Sequence, residues 1–164
     1  NGEDFFKELA ASWLEETLRT AGNRCRVIFF HPPVYSHGRY LPERYEPQRA
    51  ILKWIVPIMD KYHVELVLCG HNHMYERTRS LRSGQIVPDG QGTLYVTTGA
   101  GGANLAHAQL PMPDSIAVWD DREHSFSIVD ISTDTIGLRQ IGESGRVLDE
   151  HYLPRFAPAS ALVD

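Results

Sequence analysis

A chain of 164 residues with 42% hydrophobic and 23% charged residues has the size and composition of one globular domain, which argues against a disordered chain. Sixteen Lys and Arg against 21 Asp and Glu leave a formal charge of -5, so charge alone equips it to grip neither a nucleic-acid backbone nor an anionic membrane. No apolar run approaches the ~20 residues of a spanning helix, and two cysteines make neither a disulfide framework nor a CxxC site.

The chain opens Asn1-Gly2-Glu3, with no initiator Met and no signal peptide, which reads as a processed or excised piece. The spacing of Phe5, Phe6, Leu9, Trp13, Leu14 and Leu18 predicts an amphipathic helix over 5–21, ended by Ala21-Gly22-Asn23. Residues 26–30 read as a strand buried on both faces, stopped by His31-Pro32-Pro33. Residues 34–46 lack periodicity and read as a loop. From Pro47 to Tyr62 the pattern is helical again, with Ala50, Ile51, Trp54, Ile55, Ile58 and Met59 on one stripe and a kink or break expected at Pro57. Residues 64–69 form a second buried strand, followed at once by Gly70-His71-Asn72-His73. Strand, helix and strand make a βαβ unit, with parallel neighbours and a right-handed crossover. Cys25 and Cys69 would then stand at opposite ends of the sheet, too far apart to bridge.

Beyond residue 75 the pattern turns to strands at 77–82, 93–98, 125–131, 135–141 and 147–153, with hairpin turns at Asp134 and at Glu143-Ser144-Gly145. Residues 99–116 read as a long loop, and Asp120-Asp121-Arg122-Glu123 as a solvated turn. The expectation is one α/β domain, parallel in its first half and antiparallel in its second.

His31 and His71 each follow a buried strand, at the carboxyl end where open α/β sheets place ligands. Adjacent strands lie ~4.8 Å apart, which lets both imidazoles reach one ion. A Gly-His-x-His turn can aim His73 at a second ion, as in two-metal sites with ions ~3.5–4 Å apart. Convergence of all three on a single zinc ion is the alternative arrangement. His37, in the loop after His31, could sit over the site or be an exposed loop residue, with Tyr35 and Arg39 beside it in solvated or packing roles. Tyr75, Glu76 and Arg77 could brace the histidine turn, but a buried Glu76–Arg77 pair with no direct chemistry is the expected arrangement. Gly99-Ala100-Gly101-Gly102 reads as a turn beside the metal loops rather than a phosphate cradle, since no Lys accompanies it. His63, His107, His124 and His151 sit in no motif, although His107 could line a cleft.

The stretches VIFFHPPVY at 27–35 and VELVLCGHNHMYERT at 64–78 resemble the second half of the calcineurin-like metallophosphoesterases, and the Gly-His-x-His-x-Tyr-Glu-Arg-Thr form is similar to their purple-acid-phosphatase-like branch. GTLYVTTGAGGANL at 92–105 and residues 126–153 resemble the ending of that branch. The resemblance implies a two-sheet sandwich flanked by helices and hydrolysis of phosphate esters by a dinuclear centre of Fe, Zn or Mn ions. It implies that His31 and His71 ligate one ion and His73 the other, and that His37 contacts phosphate or protonates the leaving group. The family's upstream Asp, Gly-Asp and Gly-Asn-His motifs are absent from these residues. The chain is therefore expected to be, over 1–164, the C-terminal part of one such domain, inactive alone and partnered by a missing N-terminal metal-binding half. Phe5, Trp13, Trp54 and residues 27–30 would face that half. The different-class alternative is a non-catalytic module that keeps the fold and binds a ligand or partner. Localisation stays open, the resemblance being compatible with a secreted or periplasmic setting.

Overall fold

The computed structural model describes residues 5–38, 45–108 and 111–156; the side chains of Phe5, Phe6 and Leu9, and the whole of Arg39, lie outside the described residues. A π-helical segment, Phe5–Ala10, leads into α1 (Ala11–Arg19), which buries Ala11, Leu14 and Leu18. The second helical stretch is split into α2 (Glu46–Ala50), a π-helical segment Ile51–Ile55, and α3 (Val56–Lys61). Pro57 accounts for the split: it has no N–H to donate and its ring crowds the preceding turn, so the chain widens and restarts with Pro57 in the first turn of α3. Among the described residues, no helix is long and apolar enough to cross a membrane.

The strands run β1 (Val27–Phe29), β2 (Leu66–Cys69), β3 (Tyr75–Thr78), β4 (Leu81–Arg82), β5 (Gln85–Ile86), β6 (Leu94–Thr98), β7 (Ile116–Asp120), β8 (Ser125–Ile131), β9 (Thr135–Gly142) and β10 (Val147–Pro154). The main sheet has the order β1-β2-β6-β3-β7, and β10-β9-β8 form a second, antiparallel sheet. β1, β2 and β6 are mutually parallel, with Val27 opposite Leu66 and Leu66 opposite Leu94. β3 and β7 run antiparallel to them. The βαβ unit followed by antiparallel strands is thus present as expected.

Two apolar layers flank the main sheet. On one side Val67, Cys69 and Tyr95 pack with Leu14, Leu18, Ile55, Val56 and Met59 of the helices. On the other, Leu66, Leu94 and Val96 pack against Ile136, Leu138 and Leu153 of the second sheet. Alternate residues of β2 therefore enter different cores, which is why its sequence is a continuous apolar run rather than an alternating one.

β1 departs from its expected burial. It is the sheet's edge strand: Val27 packs against the core under the second sheet, whereas Phe29 is 80% exposed. Trp13 is 66% exposed, whereas Trp54 is half-buried beneath the ammonium groups of Lys7 and Lys53, 5.5 and 4.7 Å from its ring. Two further boundaries differ. The expected strand over 77–82 is two strands, because the chain leaves the main sheet after Thr78 and makes the β4–β5 ribbon through Ser83 and Gly84, both in the left-handed region. β7 (Ile116–Asp120) lies between the expected loop over 99–116 and the expected turn from Asp120, where the sequence reading places no strand. Cys25 and Cys69 are free, their thiols pushed up to about 11 and about 12, chiefly by burial.

The two sheets are tied by a polar contact. Tyr75 OH donates to Asp149 Oδ2 at 2.7 Å, and Arg77 reaches the same carboxylate through Nε at 2.6 Å and Nη2 at 3.1 Å. Burial pushes the Asp149 carboxyl upward, but these hydrogen bonds outweigh it and hold it below its ordinary value. A carboxyl depressed by folding contributes stability that is present above the unfolded value of ~3.9 and is lost as pH falls through the folded value. Asp149→Asn is expected to lower the urea midpoint at pH 7 and to flatten its fall below pH ~4. Identical acid profiles for the two proteins would contradict this role.

Candidate functional site

The parallel ladder between β1 and β2 continues past both strands. Phe30 N–H donates to Leu68 O at 3.1 Å and Gly70 N–H to His31 O at 3.0 Å, so the residues after the strands leave the sheet side by side. His31 Nε2 and His71 Nδ1 consequently lie 3.0 Å apart, with ring centroids separated by 4.9 Å at 73°. His71 has a φ of 65°, a left-handed conformation that costs a non-glycine residue about 1–3 kcal/mol and persists only where its surroundings impose it. Here it is imposed by Asn72 N–H to Gly70 O and Met74 N–H to Asn72 O, each 2.8 Å, and by the Tyr45 ring stacked on the imidazole at 5.1 Å. Burial, then the charges of His31 and His73, lower the His71 pKa. The shift favours the neutral ring, the form that ligates metal.

His73 faces elsewhere. Its Nδ1 is 3.0 Å from Asn104 O. A carbonyl only accepts, so Nδ1 carries the hydrogen and the lone pair of the neutral ring sits on Nε2. Ala106 N–H donates back to His73 O at 3.0 Å, so the loop after β6 clasps this histidine from both its side chain and its main chain. Among the described residues, no group of three or more His, Cys, Asp or Glu is arranged to hold one ion, which leaves the single-zinc, three-histidine arrangement unformed.

The donor atoms fit an ion pairwise. Two imidazole nitrogens bound to one ion at ~2.0–2.1 Å with a near right angle between them stand about 3 Å apart. The His31–His71 separation has that value. A ligating histidine whose other ring nitrogen donates to a backbone carbonyl is the usual supporting arrangement, and His73 has it through Asn104.

His37 is placed differently from its expected position. Its ring is 1% exposed, with Nδ1 hydrogen-bonded to Glu76 Oε1, its backbone N–H donating to the same oxygen at 2.9 Å, and its edge against Trp119. Ser36 donates to the other Glu76 oxygen and accepts from Asn72 Nδ2 at 2.6 Å. Glu76 therefore fastens the loop after His31 to the turn carrying His71 and His73. The expected Glu76–Arg77 pair does not form, because successive strand residues point to opposite faces: Glu76 faces the loop while Tyr75 and Arg77 face Asp149. Tyr35 packs edge-on against Tyr95 at 4.9 Å, and burial first, then Asp60, pushes its hydroxyl up to about 12, so it serves as a packing residue.

The Gly99–Gly102 turn does abut the histidine loop, with Gly99 N–H donating to Met74 O at 3.1 Å. The cluster Asp120-Asp121-Arg122-Glu123, which begins at the end of β7, is not the solvated turn expected: its three carboxylates are buried and only Arg122 is exposed. Asp120 is 4% exposed and pairs with Arg122, and Glu123 accepts from Ser144 N–H at 3.0 Å and pairs with Arg146. Asp121 accepts from Ala108 N–H and from His107 Nδ1, both at 3.2 Å. His63 and His124 bond Arg82 and the Ala100 carbonyl respectively. Ser36, Asn72 and Asn104 have no role of their own in the sequence reading, and Asp121 is placed there only in a solvated turn. Asn72, inside the histidine motif, had a signal; a backbone carbonyl such as that of Asn104 has none.

No family model matches the chain. Tartrate-resistant acid phosphatase type 5 of Homo sapiens is 29% identical over 156 residues, which cover 89% of this chain and 42% of that protein. The chain thus spans about two fifths of the length of the curated relatives it matches. A purple acid phosphatase from yellow lupin seeds superposes with a TM-score of 0.79 at 21% identity, over 92% of this chain and 29% of that one. The anchor in the inner membrane complex of Plasmodium superposes with a TM-score of 0.75 at 18% identity, over 93% of this chain and 44% of that one.

Proposed function

We propose that this chain, which has the fold of a purple acid phosphatase, is the C-terminal part of a metal-dependent enzyme that hydrolyses phosphate esters. The observation that carries the reading is the 3.0 Å approach of His31 Nε2 to His71 Nδ1 at the carboxyl ends of two adjacent parallel strands. In this reading His31 and His71 hold one ion and His73, through Nε2, a second; imidazole with carboxylate donors suits Fe, Zn or Mn. Bound ions would supply Lewis-acid polarisation of the phosphoryl oxygens and activation of the attacking water.

The chain's own residues prepare that site. Tyr45 lies flat against His71, and the Asn104 carbonyl fixes the His73 ring. Glu76 holds the Ser36–His37 loop on Asn72, between the two ligand histidines of the turn, which makes His37 a positioning group. Three neutral imidazoles leave two ions poorly neutralised. The carboxylate ligands therefore come, in this reading, from an N-terminal half that also covers the edge of β1, and the chain alone is inactive. The complete polypeptide is expected to hydrolyse p-nitrophenyl phosphate, to lose that activity on chelation and to regain it with Fe, Zn or Mn. Activity indifferent to chelation would overturn the reading.

A non-catalytic, partner-binding module is the second reading. It is favoured by the absence, among the described residues, of any three ligand groups around one ion. A complete polypeptide that folds, binds no metal and hydrolyses no ester would establish it instead.

A further inference from the structure

We infer that His107, held by Asp121, hands a proton to the leaving oxygen of the ester, a role that rests on the phosphoesterase reading above. β6 is the third of three adjacent parallel strands, so the loop after it emerges at the same sheet edge as His31 and His71. That loop is clasped to His73 through Asn104 and Ala106, and the next residue along the chain is His107. Its side chain is 76% exposed, while that of Asp121 is 11% exposed. The Asp121 carboxylate, which only accepts, receives His107 Nδ1–H and the Ala108 N–H, each at 3.2 Å. Nδ1–H is thereby committed to Asp121 and Nε2 is left facing solvent, the arrangement by which a carboxylate fixes a histidine that exchanges protons. His37 cannot serve in its place, being 1% exposed with its Nδ1 on Glu76.

In the step assigned to His107, a water oxygen bonds to phosphorus and the ester P–O bond breaks. The electron pair of that bond goes to the leaving oxygen, which takes the proton from Nε2 of the imidazolium. The products are the alcohol and phosphate, and the proton released by the water restores the ring.

An acid of this kind matters for a poor leaving group and hardly at all for a good one. In the complete polypeptide, His107→Gln is expected to lower kcat/KM for glycerol phosphate by about 100-fold or more and to change that for p-nitrophenyl phosphate by less than about threefold. Asp121→Asn is expected to reproduce the split in weaker form. In imidazole nitrogen NMR, which needs no turnover, the unaltered protein should show a protonated, hydrogen-bonded Nδ1 on His107 that is lost in Asp121→Asn. A purely structural role would depress both substrates alike, so an equal fall, or no fall, would overturn the inference. Hydrolysis of neither ester by the unaltered polypeptide would overturn the phosphoesterase reading and this role with it.

Discussion

Replacing His71 by alanine in the complete polypeptide is expected to remove one of two bound ions and to lower turnover by more than about 100-fold. The magnitude follows from a comparison: loss of a residue that only supports a ligand already costs about 10–100-fold in metal affinity or activity, and His71 is proposed as a ligand itself. The expected effect on folding is small. The His71 ring is half-buried and touches His31 and Tyr45 at the rim of the sheet rather than either core. Alanine at a φ of 65° is strained as histidine is, so the turn keeps the same backbone demand. Elemental analysis together with kcat is the check. Two ions per chain with unchanged turnover would remove His71 from the site.

Gly99→Ala is expected to damage both the fold and the site. A Cβ at Gly99 would lie 2.0 Å from the Asn72 carbonyl oxygen, 2.9 Å from its carbon and 3.5 Å from the Gly70 carbonyl carbon. All three are backbone atoms of the turn that carries His71 and His73, so no side chain can swing away. Nor can residue 99 retreat freely, since its N–H is bonded to Met74 O. The turn must move, at a cost on the order of 3 kcal/mol. Gly101 supplies the control: a Cβ there meets nothing within 4 Å, and Gly101→Ala should be nearly neutral. Urea midpoints of the two variants, with their metal content, test the contrast, and equal midpoints would contradict it.

Which parts of this arrangement could be read before the fold was seen follows from what each residue signals. β2 was readable because both its faces are buried, giving an unbroken apolar run bounded by turn residues. The same apolar run in β1 was misread as doubly buried, because composition does not say which strand will stand at a sheet edge. Ile116–Asp120 was missed, its apolar stretch being short and followed by acidic residues whose carboxylates the fold then buries beneath exposed arginines. At the site, matched strand ends announced His31 and His71; the parallel register sets His31 opposite Gly70, and the left-handed turn at His71 completes the contact. The fates of His37, Glu76 and His107 were not readable. Each is decided by a partner roughly 14 to 40 positions away, across a loop whose path carries no periodic pattern.

Native mass spectrometry of the complete polypeptide, under conditions that retain metals, tests most directly whether His31, His71 and His73 belong to a two-ion phosphoesterase centre completed from outside this chain. The expected result is two ions per folded polypeptide, and none retained by residues 1–164 alone. A folded, complete polypeptide that carries no metal would contradict that centre and leave the fold serving the non-catalytic role.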